Sequence, residues 1–366
     1  PRVLVLEAVM PTPDQDSGSL RMTSLLEIFL DLGWHVTFVP SNLELCAPYG
    51  PYLRRRGIEV LYRPLVGSIP TFLEQRGSSF DLVILIRHYV ATAFLDVVHL
   101  HAPQAWVWFD TVDLHYLREQ REAKLRGDPV ALKQAVECKR QEIDLMRRSD
   151  LTLVVSPVER DLLATEAPDV RVEILSNIHS LHPTETPFAA RDAIVFIGGF
   201  NHTPNVDAVE YYVNDILPLV RAQLGEVPTY LIGSRPPQEV LALDAPDQGL
   251  HVTGYVEDVT PFFARARLSI APLRYGAGVK GKINMSMAYG VPTVATPCAG
   301  EGMFLRPETD ILIGEDAAAF AAAVVRLYRD QTLWESIAAN GLANIETHFS
   351  RQTAQVILKR LLSERF

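Results

Sequence analysis

The sequence is poor in cysteine, has no long apolar run and carries no excess of positive charge. Three cysteines, Cys46, Cys138 and Cys298, occur among 366 residues, and their wide spacing matches no metal-ligand pattern. Free thiols of this kind favour a reducing compartment, so we expect a cytoplasmic protein. No apolar run reaches the roughly 18 residues that a membrane span needs. The net charge of −10 argues against a nucleic acid as the main partner.

A dinucleotide-binding fingerprint is also missing. After the first predicted strand the chain reads E-A-V-M-P over positions 7–11, where Gly-x-Gly-x-x-Gly would stand, and this disfavours a dinucleotide oxidoreductase. The chain begins at Pro1 without an initiator Met, so we expect a trimmed chain or part of a longer multidomain polypeptide. The basic residues within 53–56 and 139–148 are expected on solvated faces, and peripheral contact with the inner face of a membrane is the alternative.

Short apolar runs alternate with amphipathic stretches, which is the pattern of βαβ units in parallel α/β sheets. The length of 366 residues exceeds what a single core usually supports, so we expect two domains. In the first half, strands are predicted at Val3–Glu7, His35–Val39, Glu59–Tyr62, Leu82–Ile86, Ala105–Phe109, Leu151–Val155 and Val172–Leu175, and helices at Ser19–Leu32, Ala91–Leu100 and along much of Leu117–Arg148.

The irregular, proline-containing stretch 176–191 is predicted to be a linker. A second alternating series follows it, with strands at Ala193–Ile197, Pro228–Ile232, Leu250–Thr253, Leu268–Ala271 and Pro292–Ala295, and helices at Asn205–Val220, Pro237–Leu243, Val259–Ala266, Lys280–Tyr289, Ala317–Arg329, Leu333–Phe349 and Thr353–Ser363. We therefore predict an N-terminal Rossmann-like domain over 1–185, a C-terminal one over 186–349 and a terminal helix within 350–366.

Residues 272–303 are the most informative segment of the chain. They read P-L-R-Y-G-A-G-V-K-G-K-I-N-M-S-M-A-Y-G-V-P-T-V-A-T-P-C-A-G-E-G-M and follow a predicted strand. A glycine-rich loop with cations thus opens a helix, and a second buried strand comes after it. Backbone N–H groups and the positive end of the helix dipole attract phosphate, and glycines let the backbone approach it closely. The segment therefore predicts an anion site.

This segment resembles the donor-binding motif of GT-B glycosyltransferases, near glycosyltransferase family 4. The start of the chain, R-V-L-V-L-E-A-V-M-P-T-P-D-Q-D-S-G-S-L-R-M, is similar to bacterial members of that family. The resemblance implies a GT-B fold, in which two doubly wound Rossmann-like domains with parallel sheets face an interdomain cleft and the last helix crosses back to the first domain. It also implies retaining transfer of a sugar from a nucleotide-sugar, without a metal or cofactor.

By the same resemblance, the loop and helix hold the diphosphate and ribose of the donor. The segment I-V-F-I-G-G-F-N-H-T-P-N at 194–205 is similar to the family's first strand and glycine turn, and G-Y-V-E-D at 254–258 to the segment that receives the nucleotide base. Gly18 and Ser19 fall between the first strand and first helix, where an N-cap role is the alternative. The candidate donor-binding residues are Gly18, Ser19, Gly199, Asn201, Val256, Arg274, Tyr275, Gly278, Lys280, Lys282 and Glu301.

The sequence departs from the family pattern at two places. Family members often carry an Arg and a Lys after the glycine turn, but Asn201, His202 and Asn205 stand there. The family also has two glutamates eight positions apart, and Ala277 and Met285 occupy those positions. A thioether is a weak acceptor for ribose hydroxyls. We therefore expect either a donor without a 2′-hydroxyl, such as a dTDP-sugar, or a ribose held by Glu301 in a UDP-sugar.

Polar residues after two buried strands provide the candidates for chemistry. F-D-T-V-D-L-H-Y-L-R at 109–118 matches an Asp/His stretch that faces the transferred sugar in related enzymes, so Asp110, Asp113 and His115 are the candidate catalytic residues. An N-cap is the alternative role of Asp113. The candidate acceptor-binding residues are Asp14, Asp16, Arg87 and His88. Asp14 and Asp16 form an Asp-x-Asp pair, but they precede a first helix, so no metal site is expected there.

We therefore expect a glycosyltransferase of bacterial glycan or polysaccharide synthesis that uses a UDP- or dTDP-sugar. The acceptor can be a glycan, a lipid-linked sugar or a protein. Three alternatives stay open: a catalytically degenerate GT-B domain that binds nucleotide-sugars or has a structural role, a nucleotide-sugar sensor, and an epimerase of nucleotide-sugars. Binding without turnover would favour the first two, and donor consumption without an acceptor product would favour the third.

Overall fold

The computed structural model describes all 366 residues, and the chain separates into two compact units. The first unit comprises residues 1–13, 18–177 and 354–366, and the second comprises residues 14–17 and 178–353. Residues 175–187 have no regular secondary structure. No helix combines the length and apolar character needed to cross a membrane.

The first unit is built on a seven-stranded sheet in the order β3-β2-β1-β4-β5-β6-β7, and every pair in it is parallel. Its strands are β1 (Arg2–Glu7), β2 (His35–Pro40), β3 (Glu59–Val60), β4 (Leu82–Ile86), β5 (Trp106–Asp110), β6 (Leu151–Val154) and β7 (Val172–Ile174). Its helices are α1 (Ser17–Asp31), α2 (Tyr49–Arg55), α3 (Ile69–Arg76), α4 (His88–His101), α5 (His115–Arg126), α6 (Pro129–Arg148), α7 (Pro157–Glu166) and, at the end of the chain, α16 (Arg351–Leu362).

The second unit is built on a six-stranded parallel sheet in the order β10-β9-β8-β11-β12-β13. Its strands are β8 (Ala193–Ile197), β9 (Thr229–Ile232), β10 (Leu250–Gly254), β11 (Ala266–Ala271), β12 (Thr293–Ala295) and β13 (Leu312–Ile313). Its helices are α8 (Thr203–Tyr211), α9 (Leu217–Leu224), α10 (Gln238–Leu241), α11 (Thr260–Arg265), α12 (Gly281–Ala288), α13 (Pro297–Gly300), α14 (Ala317–Arg329) and α15 (Gln331–His348).

The predicted fold class is confirmed, since both units are Rossmann-like α/β layers with parallel sheets. Two helix predictions differ from the structure in detail. Helical structure was predicted along much of Leu117–Arg148 and occurs there as two helices, because Gly127 ends α5 in a left-handed conformation and Asp128 caps α6 ahead of Pro129. The predicted helix over Asn205–Val220 contains a π-helical segment at Tyr212–Ile216, immediately before α9 with its early proline.

The sequence did not predict five of the short elements, which have two to ten residues and are too short for a clear hydrophobic period. They are helices α2, α3, α7 and α13 and strand β13. The C-terminal residues pack on the first unit through side chains. Arg360 pairs with Glu173 at 2.6 Å, and the ring centroids of Phe366 and Trp34 lie 5.0 Å apart.

Candidate functional site

The glycine-rich loop of the second unit joins β11 to α12. Gly276 and Gly278 have φ angles of 154° and 66°, which residues with a side chain rarely adopt. Lys280 is 6 % exposed and folds back under this loop. Its Nζ donates to the carbonyl of Ala277 at 3.1 Å and to that of Gly278 at 2.7 Å. The predicted donor residues Gly278 and Lys280 therefore shape the loop together.

Helix α12 starts directly after this loop. Lys280 is its N-cap residue, and the Lys280 side chain makes no capping hydrogen bond to the first turn. The first N–H groups of an uncapped helix point along the axis and carry partial positive charge. This helix start can therefore receive an anionic group without displacing a capping side chain.

Lys282 connects α12 to the glycine turn that follows β8. Its Nζ donates to Asn205 Oδ1 at 2.8 Å, and Asn205 Nδ2 donates in turn to the carbonyl of Gly199 at 2.7 Å. Burial, and secondarily the charge of Lys280, lowers the pKa of Lys282 to about 7. The structure thus places a cation from α12 beside the turn in which the sequence has no Arg or Lys of its own.

The other predicted donor residues of this loop have different surroundings. The Arg274 guanidinium forms a bidentate ion pair with Asp207 of α8 and lies 5.1 Å from the centroid of the Tyr211 ring. The charge of Arg274 is therefore already balanced. The ring of Tyr275 is 1 % exposed and forms part of the core. Among the predicted cations, Lys282 is the one that contacts the glycine turn.

A residue of α12 also packs against a small apolar cluster of the second unit. Val256, which follows β10, and Met285 both pack against a cluster that includes Val195 and Phe263. The predicted base contact and the thioether at the family's glutamate position are therefore neighbours on one surface. Of the remaining candidates, Asn201 is exposed in the turn after β8, and Glu301 is the C-cap residue of α13.

In the first unit, three adjacent strands bring charged residues to one edge of the sheet. Glu7 ends β1, Arg87 follows β4 and Asp110 ends β5. Arg87 Nε lies 2.9 Å from Glu7 Oε1, and the backbone N–H of Arg87 donates to the carbonyl of Asp110. Burial raises the pKa of the Glu7 carboxyl, although the charge of Arg87 opposes this shift. Arg87 is therefore held in an ion pair that the sequence did not reveal.

Asp110 is fully buried in a second ion pair. Its Oδ2 lies 2.7 Å from Arg21 Nη1, and the two side chains are 0 % and 1 % exposed. Arg21 also donates to the carbonyls of Leu175 and Ser176. Arg21 thus connects α1 to the end of β5 and to the segment after β7. The carboxylate of Asp110 therefore has a structural role as the partner of Arg21.

Two buried glutamates fix the turn that carries His115. Glu159 Oε1 accepts a hydrogen bond from the Leu114 N–H at 3.2 Å. Glu142 accepts from the N–H groups of His115 and Tyr116, the first two residues of α5, at 3.1 and 3.2 Å. Burial raises the pKa of Glu142 to about 8. The carboxylates do the work of helix caps, and they hold the backbone of His115 in place.

The structure brings the predicted residues His88, Asp113 and His115 together. The ring centroids of His88 and His115 are 4.4 Å apart, and His115 Nδ1 lies 3.4 Å from Asp113 Oδ1. Asp113 also pairs with Arg118. Burial, and then the neighbouring His115, lowers the pKa of His88 to about 4, so this imidazole is neutral at pH 7.

The predicted residues near the start of the chain divide between the two units. Gly18 and Ser19 lie in the first turn of α1, which begins two residues earlier than predicted. Asp14 and Asp16 are exposed and lie in the segment 14–17, which packs with the second unit. Asp14 accepts a hydrogen bond from the hydroxyl of Tyr255. Asp14 and Asp16 thus belong to the second unit, whereas Arg87 and His88 belong to the first.

One protein family matches a segment that lies within the second unit. Residues 191–330 match the family model described as "Glycosyl transferases group 1". This range includes the glycine turn after β8, the loop after β11 and α12. No curated protein matches the sequence significantly.

Several solved structures share the fold over essentially the whole chain. Sucrose-phosphate synthase from Thermosynechococcus elongatus has a TM-score of 0.75 and 17 % identity, and the match covers 100 % of this chain and 99 % of that one. HepE from Anabaena in complex with UDP-glucose has a TM-score of 0.74 and 14 % identity, with 99 % of each chain covered.

A TarM variant from S. aureus, solved with fondaparinux, α-GlcNAc-glycerol and UDP, has a TM-score of 0.76 and 10 % identity. The match covers 98 % of this chain and 99 % of that one. These identities are low, so the likeness to the three structures establishes the fold. Residues 191–330 therefore match the glycosyl transferases group 1 family, and the chain as a whole has the GT-B fold of these structures.

Proposed function

We propose that the chain transfers a sugar from a nucleotide-diphosphate sugar to an acceptor hydroxyl, with retention at the anomeric carbon, in bacterial glycan or polysaccharide synthesis. The observation that carries the proposal is the joint position of the uncapped start of α12 and of Lys282 beside the glycine turn at Gly199. HepE binds UDP-glucose and the TarM variant binds UDP, which supports a diphosphate ligand here.

The proposed role of the loop is to stabilise the diphosphate as the glycosidic bond breaks. The leaving diphosphate gains negative charge in the transition state, and preorganised N–H groups and cations favour that charge. Lys282 is the proposed main cation. Lys280 adds charge from beneath the loop, and Arg274 contributes less because Asp207 already balances it. We propose that these groups replace a metal at the diphosphate.

The donor base and ribose are proposed to lie against Val256 and Met285. Neither the Val256 nor the Met285 side chain offers a carboxylate to a 2′-hydroxyl, which supports a dTDP-sugar as donor. A UDP-sugar whose ribose is held by Glu301 is the alternative. In the first unit, His115 is proposed to contact the transferred sugar, and Asp113 to orient His115 across their 3.4 Å separation. Asp110 is the weakest candidate base, because Arg21 is paired with it in the core.

The proposal is tested by nucleotide release from matched UDP-glucose and dTDP-glucose, with glycan, lipid-linked and peptide acceptors and with EDTA present. Lys282→Met is expected to lower kcat/KM by roughly tenfold to a hundredfold, the worth of one hydrogen bond to a charged group. Lys133→Met is the control, because Lys133 is an exposed lysine of α6. Binding of both nucleotides without any release would instead favour a degenerate binding module. Equal turnover of the two donors would remove the reason for preferring dTDP.

A further inference from the structure

Two histidines and a glutamate from three helices of the first unit meet behind the edge of the sheet. His88 is the first residue of α4, His115 is the first residue of α5, and Glu142 lies in α6. One ligand atom from each residue lies within 4.8 Å of the other two. The strands that precede α4 and α5 are neighbours in the sheet, so the fold itself places the imidazoles side by side.

The polar atoms of the two imidazoles are not satisfied by the protein. Nδ1 of His88 and Nδ1 of His115 are both buried, and neither has a hydrogen-bond partner. Asp113 Oδ1 is 3.4 Å from His115 Nδ1, and Glu142 Oε1 is 3.8 Å from His88 Nδ1, without the geometry of a hydrogen bond. Buried polar atoms in folded proteins nearly always have a partner, so two orphaned nitrogens in one cluster require an explanation.

The carboxylate of Glu142 is already oriented for ligation. It is 0 % exposed, and each of its oxygens accepts one backbone hydrogen bond, from His115 and from Tyr116. Each carboxyl oxygen has more than one lone-pair site, so two backbone hydrogen bonds do not exhaust the capacity of this group to bind a cation. Ligands that are fixed by hydrogen bonds of their own need less reorganisation when an ion binds.

We propose that His88, His115 and Glu142 bind a divalent transition-metal cation of the Zn²⁺ class. Two imidazoles and one carboxylate form a ligand set that suits this class and leaves a fourth position for water, whereas Mg²⁺ and Ca²⁺ prefer oxygen ligands alone. Tetrahedral Zn²⁺ places its ligand atoms roughly 3.3 Å apart. The distance of 3.8 Å between His88 Nδ1 and Glu142 Oε1 is close to this spacing, and small rotations of the imidazoles would shorten the ligand-to-ligand distances further.

The three ligand residues all belong to the first unit, and binding of a cation to them does not depend on the proposed sugar transfer. The Asp-x-Asp pair at Asp14 and Asp16 is not part of this cluster. One consequence does rest on the proposed function. Because His115 is proposed to contact the sugar, bound Zn²⁺ is expected to inhibit a transfer reaction that proceeds in EDTA.

The test is calorimetric titration of the EDTA-treated, desalted full chain with Zn²⁺, together with visible absorption spectra after Co²⁺ substitution. Wild type is expected to bind one ion per chain, and His88→Ala and His115→Ala are expected to bind at least tenfold more weakly. Glu142→Gln is expected to weaken binding in the same direction. The control is His99→Ala, an exposed histidine of the same helix α4, whose loss should leave the affinity unchanged.

Two results would overturn the site. One is the absence of saturable Zn²⁺ binding to wild type, and the other is equal affinity in wild type and in both histidine variants. Thermal unfolding and circular dichroism establish that each variant is folded. Should a variant not fold, the Co²⁺ spectrum of the wild type decides: intense tetrahedral bands support the site, and the weak spectrum of hydrated Co²⁺ refutes it. Because these readouts need no donor or acceptor, their failure is distinct from a failure of the proposed function.

Discussion

Replacing Asp110 by asparagine breaks a buried ion pair and is expected to destabilise the first unit by about 3–5 kcal/mol. The reason is that Arg21 stays in the core without its counter-charge. Its side chain is 1 % exposed and keeps only neutral acceptors, among them the carbonyls of Leu175 and Ser176 at 2.8 and 3.1 Å. Arg21→Met, which leaves the carboxylate unpaired instead, is expected to cost a similar amount.

The double variant and an exposed pair provide the controls. Arg21→Met/Asp110→Asn removes both charges, so its cost should fall well below the sum of the single costs. Arg76→Met breaks an ion pair of the same unit with Glu59, at 2.9 Å, whose side chains are 37 % and 43 % exposed. Solvent screens such a pair, and its loss should cost at most about 1 kcal/mol.

The assay must report on the first unit alone, because a chain of two units need not unfold in one step. The chain is unfolded in urea, and unfolding is monitored by amide hydrogen exchange in peptides that cover Trp106–Asp110. These peptides report on the first unit because β5 lies inside its seven-stranded sheet. The reasoning would be refuted if Asp110→Asn were as mild as Arg76→Met. It would also be refuted if the double variant cost the full sum of the two single variants.

The other predictions concern the second unit. Gly233→Ala should destabilise the second unit by about 1–3 kcal/mol, because a Cβ at this position would lie 2.0 Å from the Gly198 carbonyl oxygen. Thermal or urea unfolding measures this change, and an unchanged unfolding midpoint would contradict the close approach of Gly233 to Gly198. Lys282 has a pKa of about 7, so it is mostly neutral at pH 8 and should take up a proton when a diphosphate binds. Its contribution to affinity should therefore fall about tenfold per pH unit above 7, and titrations in buffers of different ionisation enthalpy should detect the uptake in wild type and not in Lys282→Met. Met285→Glu should raise the affinity for UDP relative to dTDP by roughly tenfold, because a carboxylate accepts hydrogen bonds from the ribose hydroxyls. If calorimetry gives the same ratio of UDP to dTDP affinity as in wild type, the ribose does not bind beside residue 285.

The alternation of apolar runs predicted most of the fold, because strands buried on both faces have an unmistakable sequence pattern. Leu82–Ile86 was predicted at its observed boundaries for this reason. The break after Gly127 was missed although its signals, a glycine followed by an aspartate and a proline, are present in the sequence. The helical pattern of apolar residues resumes within two residues, so the sequence pattern alone does not show the break.

The candidate site was predictable where chemistry resides in one segment, and not where it arises from distant partners. The loop at 272–280 is contiguous, so its glycines and lysines could be found together. The sequence did not predict the roles of Glu7, Arg21 and Glu142, because their hydrogen-bond partners lie 80, 89 and 27 residues away along the chain. A charged residue on the apolar face of a predicted helix was the available signal for Arg21 and Glu142.

The loop after β11 is best tested as a donor site by calorimetric titration with UDP, dTDP and GDP in EDTA, for wild type and for a Lys280→Ala/Lys282→Ala variant. We expect one nucleotide to bind to wild type without a metal, and we expect this binding to be lost in the variant. A preference for dTDP would agree with Met285 at the ribose position. If no nucleotide binds to wild type, or if the variant binds as tightly as wild type, the loop after β11 is not the donor site and the proposed transfer fails.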